Sequence, residues 1–265
     1  MTARRALLLA TALALGGCAF PVQGAFIGRE LPDPTARPRT ILIIYNHGFS
    51  GDTAGTYRPR LPPIFDVALK RNADVVVYSQ VRNTSRLNAI DHGAYIEAAV
   101  EFFHRRQGMP LGNIILAGQS CGGWGSLQAA AFAFPEVGGV AAFAPTCHGR
   151  LPHSSDLRAR RSWELAQLAQ RARFPGLIFV YEGDTYYDLG DWTGFETRLP
   201  AGSAGLRIER LPWKTVVNVC ARCTRDSHGA VWDNEFAAAY FESHLQPLIE
   251  RVRAGIRLRM AAVGR

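Results

Sequence analysis

The chain reads as one α/β domain, a mostly parallel central sheet with helices on both faces, and three observations predict it. From residue 40 onward, short β-branched and apolar runs alternate with longer helical stretches, the pattern of successive β-α-β units. The runs are apolar along nearly their whole length, as in Ile41-Leu42-Ile43-Ile44, which suits strands covered on both faces. The chain has 265 residues, 48% hydrophobic and 20% charged, enough for one sizeable core.

In chain order, the first predicted strand is Thr40 to Tyr45, which carries the Ile-Leu-Ile-Ile run. The second, Asp74 to Ser79, holds three consecutive valines. The third, Asn113 to Gly118, ends in the glycine of a tight turn, and the fourth is the apolar run Val137 to Ala144. The fifth, Gly176 to Glu182, closes on the turn Gly183-Asp184, and the sixth is Leu206 to Leu211. Helices are expected near 58–71, 89–107, 122–133, 157–172 and 233–254. The chain has no internal repeat and no low-complexity block.

The N-terminus has a different character. Arg4 and Arg5 precede an apolar segment, Ala6 to Leu15, that matches the core of an export signal and is too short to span a bilayer. Leu15-Gly16-Gly17-Cys18 resembles the lipobox of bacterial lipoproteins, which implies cleavage before Cys18 and a lipid anchor on its sulfur. Residues 1–17 are therefore expected to be a signal peptide. Residues 18–38, with Pro21, Pro32, Pro34 and Pro38 and no periodicity, are expected to be a lipid-anchored tether, and 39–265 the folded domain. The implied location is the bacterial cell envelope, facing the periplasm or exterior, with the membrane as partner through the anchor.

Loss of Arg4 and Arg5 with the signal lowers the formal charge of +8 by two. The remaining basic residues are scattered, with clusters at Arg158, Arg160, Arg161 and at Arg251, Arg253, Arg257, Arg259 that read as solvated helix faces. An exported chain without a basic stripe is not expected to bind nucleic acid. The sequence leaves the oligomeric state open.

Gly118-Gln119-Ser120-Cys121-Gly122 places a G-x-S-x-G pentapeptide between a strand and a helix. The glycines clear room for a sharp turn that lifts the serine hydroxyl above the sheet, and the new helix points free N–H groups toward developing negative charge. Ser120 is the candidate nucleophile. The run resembles the nucleophile turn of the α/β-hydrolases, nearest in style to dienelactone-hydrolase-like or esterase-like members, and the resemblance extends over about residues 40–250. It departs in two ways: the first strand enters directly at a His-Gly loop without leading antiparallel strands, and no long insertion separates Ala144 from Gly176. A minimal core with little lid is implied.

A serine needs a base held in one tautomer by a carboxylate, and the resemblance implies the order Ser, Asp or Glu, His on loops at the carboxyl ends of strands. Asp184, at the turn after a buried-strand run, is the candidate acid, with Asp188 next. His228, in Thr224-Arg225-Asp226-Ser227-His228-Gly229 after the last strand, is the candidate base. His47, His92, His104, His148 and His153 precede the acid, and His244 falls within a helix. Oxyanion donors are expected from the backbone N–H of Cys121 and, in the loop Asn46 to Gly51, of Phe49. His47 is read as a structural residue of that loop. Tyr186, Tyr187, Trp192, Trp213 and Trp124 are candidates for an acyl pocket or for core packing.

Apart from Cys18, the chain carries Cys121, Cys147, Cys220 and Cys223, which export would place in oxidising surroundings. Four cysteines allow three pairings, and sequence alone does not choose among them. The expected strand ends favour Cys121 with Cys147, and a shared loop favours Cys220 with Cys223. Cys220-x-x-Cys223 follows the last strand, where a structural bridge fits better than thioredoxin-like chemistry, and no second pair stands at zinc spacing. No cofactor and no metal are expected. The leading expectation is a serine hydrolase that cleaves a small-molecule ester, or an amide, through an acyl-Ser120 intermediate. The alternatives are an inactive envelope binding protein on the same fold and an exported thiol-disulfide protein.

Overall fold

The computed structural model describes residues 22–49, 58–81, 89–201, 203 and 205–263, with residues 89–92 as backbone only. Cys18, the signal segment, Ser50 and Gly51 lie outside the described residues.

Among the described residues, seven strands form one sheet in the order β1-β3-β2-β4-β5-β6-β7. They are β1 (Gly24–Ile27), β2 (Ile41–Asn46), β3 (Val75–Gln80), β4 (Ile114–Gln119), β5 (Gly139–Phe143), β6 (Gly176–Tyr181) and β7 (Leu206–Leu211). β2 to β7 are parallel, so Asn46, Gln119, Phe143, Tyr181 and Leu211 all end on one rim. Every residue of β2, β3, β4, β5 and β6 is buried, as near-continuous apolar runs require of strands covered twice.

The helices are α1 (Pro63–Arg71), α2 (Ala89–Glu101), α3 (Cys121–Gln128), α4 (Ser155–Arg171), α5 (Trp213–Val219), α6 (Asn234–Tyr240) and α7 (Gln246–Val263). α1 starts later than the expected residue 58 because Pro62-Pro63 excludes the preceding residues from helix, and Pro63 takes the first turn, where its missing N–H costs nothing. Ser154 caps α4, its Oγ accepting from the Leu157 N–H at 3.3 Å. The long C-terminal helix expected at 233–254 divides into α6, a wider turn over Phe241–Leu245, and α7, which runs on to Val263.

Two elements differ from the sequence reading. Residues 24–27, expected in a tether, form β1, antiparallel to β3 at the sheet edge, so the sheet does have a leading antiparallel strand and the folded body starts before residue 39. Phe26 holds the strand down by edge contacts with Tyr78 and Phe103, at centroid distances of 5.2 and 5.8 Å. α5, unforeseen, follows Pro212 where the β-branched run Thr215-Val216-Val217 carries no helical signal. Between β5 and β6 lie only a loop and α4.

Candidate active site

The turn between β4 and α3 places Ser120 at φ 56° and ψ −126°, a left-handed conformation that costs a non-glycine residue of order 1–3 kcal/mol. Backbone crowding explains the flanking glycines. A Cβ on Gly118 would lie 2.4 Å from the Gly122 carbonyl carbon, and one on Gly122 would lie 2.0 Å from the Asn46 carbonyl oxygen. The Ser120 N–H donates to the Phe143 carbonyl at 2.9 Å, and the Trp124 N–H donates to the Ser120 carbonyl at 2.9 Å, so strand and helix both hold the turn.

Asp184 follows β6 after Gly183 (φ 80°) and is buried. Its Oδ1 accepts the Tyr186 N–H at 2.8 Å and its Oδ2 lies 2.7 Å from His228 Nδ1. Burial pushes this carboxyl above its ordinary range, and the hydrogen bonds from His228 and the Tyr186 N–H pull the other way. Asp188 instead accepts the Gly190 N–H at 2.8 Å and caps a short turn.

The His228 loop is tied down on three sides. The His228 carbonyl accepts from Gln119 Nε2, on the residue before Ser120, at 3.0 Å. Asp226 accepts from the His228 N–H at 3.0 Å and from Thr185 Oγ1 at 2.9 Å, which joins the His228 loop to the Asp184 loop. The Ser227 N–H donates to the Gly183 carbonyl at 3.2 Å. The Tyr186 ring lies over the His228 imidazole at 4.2 Å. Tyr186 in turn lines, with Ser120, Cys121 and Phe49, a cavity of about 260 Å³. Asp184 and His228 are thus hydrogen-bonded, and Ser120 reaches the same cavity as the ring that covers His228. Ser120 Oγ makes no hydrogen bond to His228 in this geometry; hydrogen bonds between reacting groups often tighten only in a substrate complex.

The remaining predicted residues divide. Cys121 opens α3 with its N–H beside Ser120, and Phe49, 63% exposed, stands at the cavity mouth. His47 is buried with Nδ1 2.6 Å from the Gly48 carbonyl oxygen. Cys121 bonds to Cys147 and Cys220 to Cys223, and Cys121 and Cys147 both line the cavity. Of the five aromatics weighed for an acyl pocket, Tyr186 reaches the cavity, whereas Tyr187, Trp192 and Trp124 are core residues and Trp213 packs under Gly183. Among the described residues, no group of three or more His, Cys, Asp or Glu side chains is arranged to hold a metal ion, and no helix is long and apolar enough to cross a membrane.

The sequence reading misplaced Arg161, which is not on a solvated face. Its side chain is 1% exposed, with Nε on Asp191 at 2.7 Å and NH1 on Thr146 Oγ1 at 2.9 Å and His148 Nδ1 at 3.2 Å. Its guanidinium also lies 5.5 Å from the Trp124 ring and 5.4 Å from the Tyr187 ring. The available signal was spacing, since Arg161 shares the stripe of Glu164, Leu165 and Leu168 that α4 buries. His148 was also passed over. It lines the cavity, but its Nδ1 accepts from Arg161, which requires hydrogen on Nε2, and Nε2 donates to Glu164 at 2.7 Å. With both nitrogens engaged, it is a wall rather than a base.

No protein-family model matches the sequence, and no curated protein matches it. Solved structures do. Est1E from Butyrivibrio proteoclasticus, with ferulic acid bound, aligns at a TM-score of 0.51 and 13% identity over 91% of this chain and 96% of that one. The Pyrococcus furiosus esterase Pf2001 aligns at 0.51 and 13% over 80% of each chain. At such identity the likeness concerns the fold. Together with the strand order and the turn at Ser120, it establishes that this chain has the α/β-hydrolase fold.

Proposed function

We propose that the protein is a serine hydrolase of small-molecule carboxylic esters, with Ser120 as nucleophile, His228 as general base and acid, and Asp184 as the group that orients His228. The observation that carries this reading is the 2.7 Å pairing of His228 Nδ1 with buried Asp184, on a loop fastened to the residue preceding Ser120. With Nδ1–H committed to Asp184, the lone pair of Nε2 is the one free to take a proton.

His228 Nε2 removes the Ser120 hydroxyl proton as Oγ bonds to the ester carbonyl carbon. The carbonyl oxygen gains the negative charge, which the N–H groups of Cys121 and Phe49 receive. Collapse of this intermediate breaks the bond to the alcohol oxygen, which leaves with the proton from His228. Water then attacks the acyl-Ser120, giving its proton to His228, and the acid departs as Ser120 regains its hydrogen. Charged Asp184 stabilises the imidazolium that forms in each half. Ester hydrolysis at neutral pH that disappears in Ser120→Ala, along with covalent labelling by a fluorophosphonate, tests this. A folded wild-type protein that neither turns over esters nor takes the label refutes it and favours a binding role.

The same proposal places the protein in the bacterial envelope, lipid-anchored through Cys18 after loss of residues 1–17. Two disulfides in a chain with an export-like N-terminus support this placement. Incorporation of labelled fatty acid that Cys18→Ser abolishes, with release of the protein to the soluble fraction, is the expected result; an unlabelled, soluble wild type refutes it.

A further inference from the structure

The Ser120 cavity contains a hydroxyl whose hydrogen is uncommitted. Thr146, 1% exposed and on the loop after β5, lines the cavity, and its N–H points to the Ser120 carbonyl at 3.4 Å. Arg161 NH1 approaches Thr146 Oγ1 at 2.9 Å, and because a guanidinium only donates, the threonine oxygen is the acceptor there. The Thr146 O–H therefore has no acceptor among the described residues, and a buried hydroxyl in that state calls for a partner. Donation from a cation into its oxygen strengthens the hydroxyl as a donor. Much of the surrounding wall is apolar or already engaged: the Cys121–Cys147 disulfide, the Tyr186 ring, and His148 with both nitrogens occupied.

The geometry points to Thr146 as a specificity-determining residue that donates a hydrogen bond to a neutral oxygen of the substrate's acyl part, two or three bonds from the scissile carbonyl, with Arg161 as the residue that positions it. This rests on the ester-hydrolase reading of the cavity. A neutral acceptor fits better than a second carboxylate because the Arg161 charge is matched by Asp191, while Glu164 behind His148 and Asp184 behind His228 both oppose an added anion. The favoured class is alkoxyacyl and hydroxyacyl esters over plain alkyl ones.

The test is a pair of nearly isosteric p-nitrophenyl esters, methoxyacetate and butyrate, which differ by an ether oxygen in place of a methylene. The ratio of their kcat/KM values is compared between wild type and variants, which cancels their intrinsic reactivities. In Thr146→Val the ratio is expected to fall about tenfold toward butyrate, and Thr146→Ser is expected to keep the wild-type ratio. Arg161→Met should lower the ratio as Thr146→Val does, and the double variant no further, since the two residues act as one unit. An unmoved ratio in Thr146→Val, or equal loss on both esters, overturns the proposal while leaving the hydrolase reading intact if Ser120→Ala is inactive. Turnover that survives Ser120→Ala overturns both.

Discussion

Asp184→Asn exchanges a side chain that accepts two hydrogen bonds on separate oxygens for one with a single acceptor. In the protein, Oδ1 takes the Tyr186 N–H at 2.8 Å and Oδ2 pairs with His228 Nδ1 at 2.7 Å. If the amide oxygen stays on Tyr186, the amide NH₂ faces Nδ1, the imidazole must carry its hydrogen on Nε2, and Ser120 has no acceptor for its proton. If the amide flips, the tautomer is kept but the part-buried Tyr186 N–H is left against a donor, at about 1–3 kcal/mol, and the imidazolium loses a charged partner worth about 1–2 kcal/mol more. The flipped form is the working one, so the barrier rises by about 2–5 kcal/mol, and kcat/KM should fall by roughly 30- to 5,000-fold at 1.36 kcal/mol per decade. The assay is p-nitrophenyl butyrate hydrolysis at neutral pH with near-UV circular dichroism to verify folding. A folded variant within tenfold of wild type would refute the assigned role of Asp184. Stability should move the other way. Burial raises the native pKa of Asp184 above its unfolded value, so its contribution is fully present below the unfolded pKa and is lost as pH rises through the native one. The melting temperature of Asp184→Asn relative to wild type is therefore expected to increase across that interval, and a constant difference contradicts the sign.

Three further outcomes follow from the same geometry. Ser120→Gly, inactive, should melt higher than inactive Ser120→Ala, because glycine relieves the φ of 56° and the gain, about 1 kcal/mol, survives glycine's greater freedom in the unfolded chain. Gly122→Ala sets a Cβ 2.0 Å from the Asn46 carbonyl oxygen, so its cost in urea denaturation should reach or exceed the upper end of the roughly 1–3 kcal/mol typical of overpacking. Replacing both Cys121 and Cys147 by alanine opens a loop spanning 26 positions and should cost about 3.5 kcal/mol on loop-closure entropy, against about 1.6 for Cys220 and Cys223, separated by three. Chemical denaturation of the two double variants orders them, and a larger loss at Cys220/Cys223 would contradict the argument.

The parallel core was legible because double-sided burial writes itself as uninterrupted apolar runs, and strands β2 to β7 fell within a few residues of their expected ends. The chain order of serine, acid and histidine was likewise sufficient to find Asp184 and His228 paired in space, since loops at strand ends must share one rim. Elements whose reasons are tertiary were not legible. β1 has four residues with no apolar period, and what holds it is the edge of β3 and the rings of Tyr78 and Phe103. α5 forms from residues of poor helical propensity because Pro212 opens it and Val216 is buried. Arg161 looked like surface charge because composition counts cations without asking where the helix stripe lies. Gln119 and Asp226, which fasten the His228 loop, have roles set by hydrogen bonds across 109 and 41 residues of sequence.

The antiparallel direction of β1 has an orienting consequence. Gly24 pairs with Gln80, level with Asn46 and Gly118, so the chain comes into the sheet on the side from which Ser120 opens and not from the far side. Cys18 precedes Gly24 by six positions, a span of at most about 20 Å when fully stretched. If Cys18 is the anchor proposed above, the rim that carries Ser120, and not the opposite one, is the end of the sheet joined to the membrane.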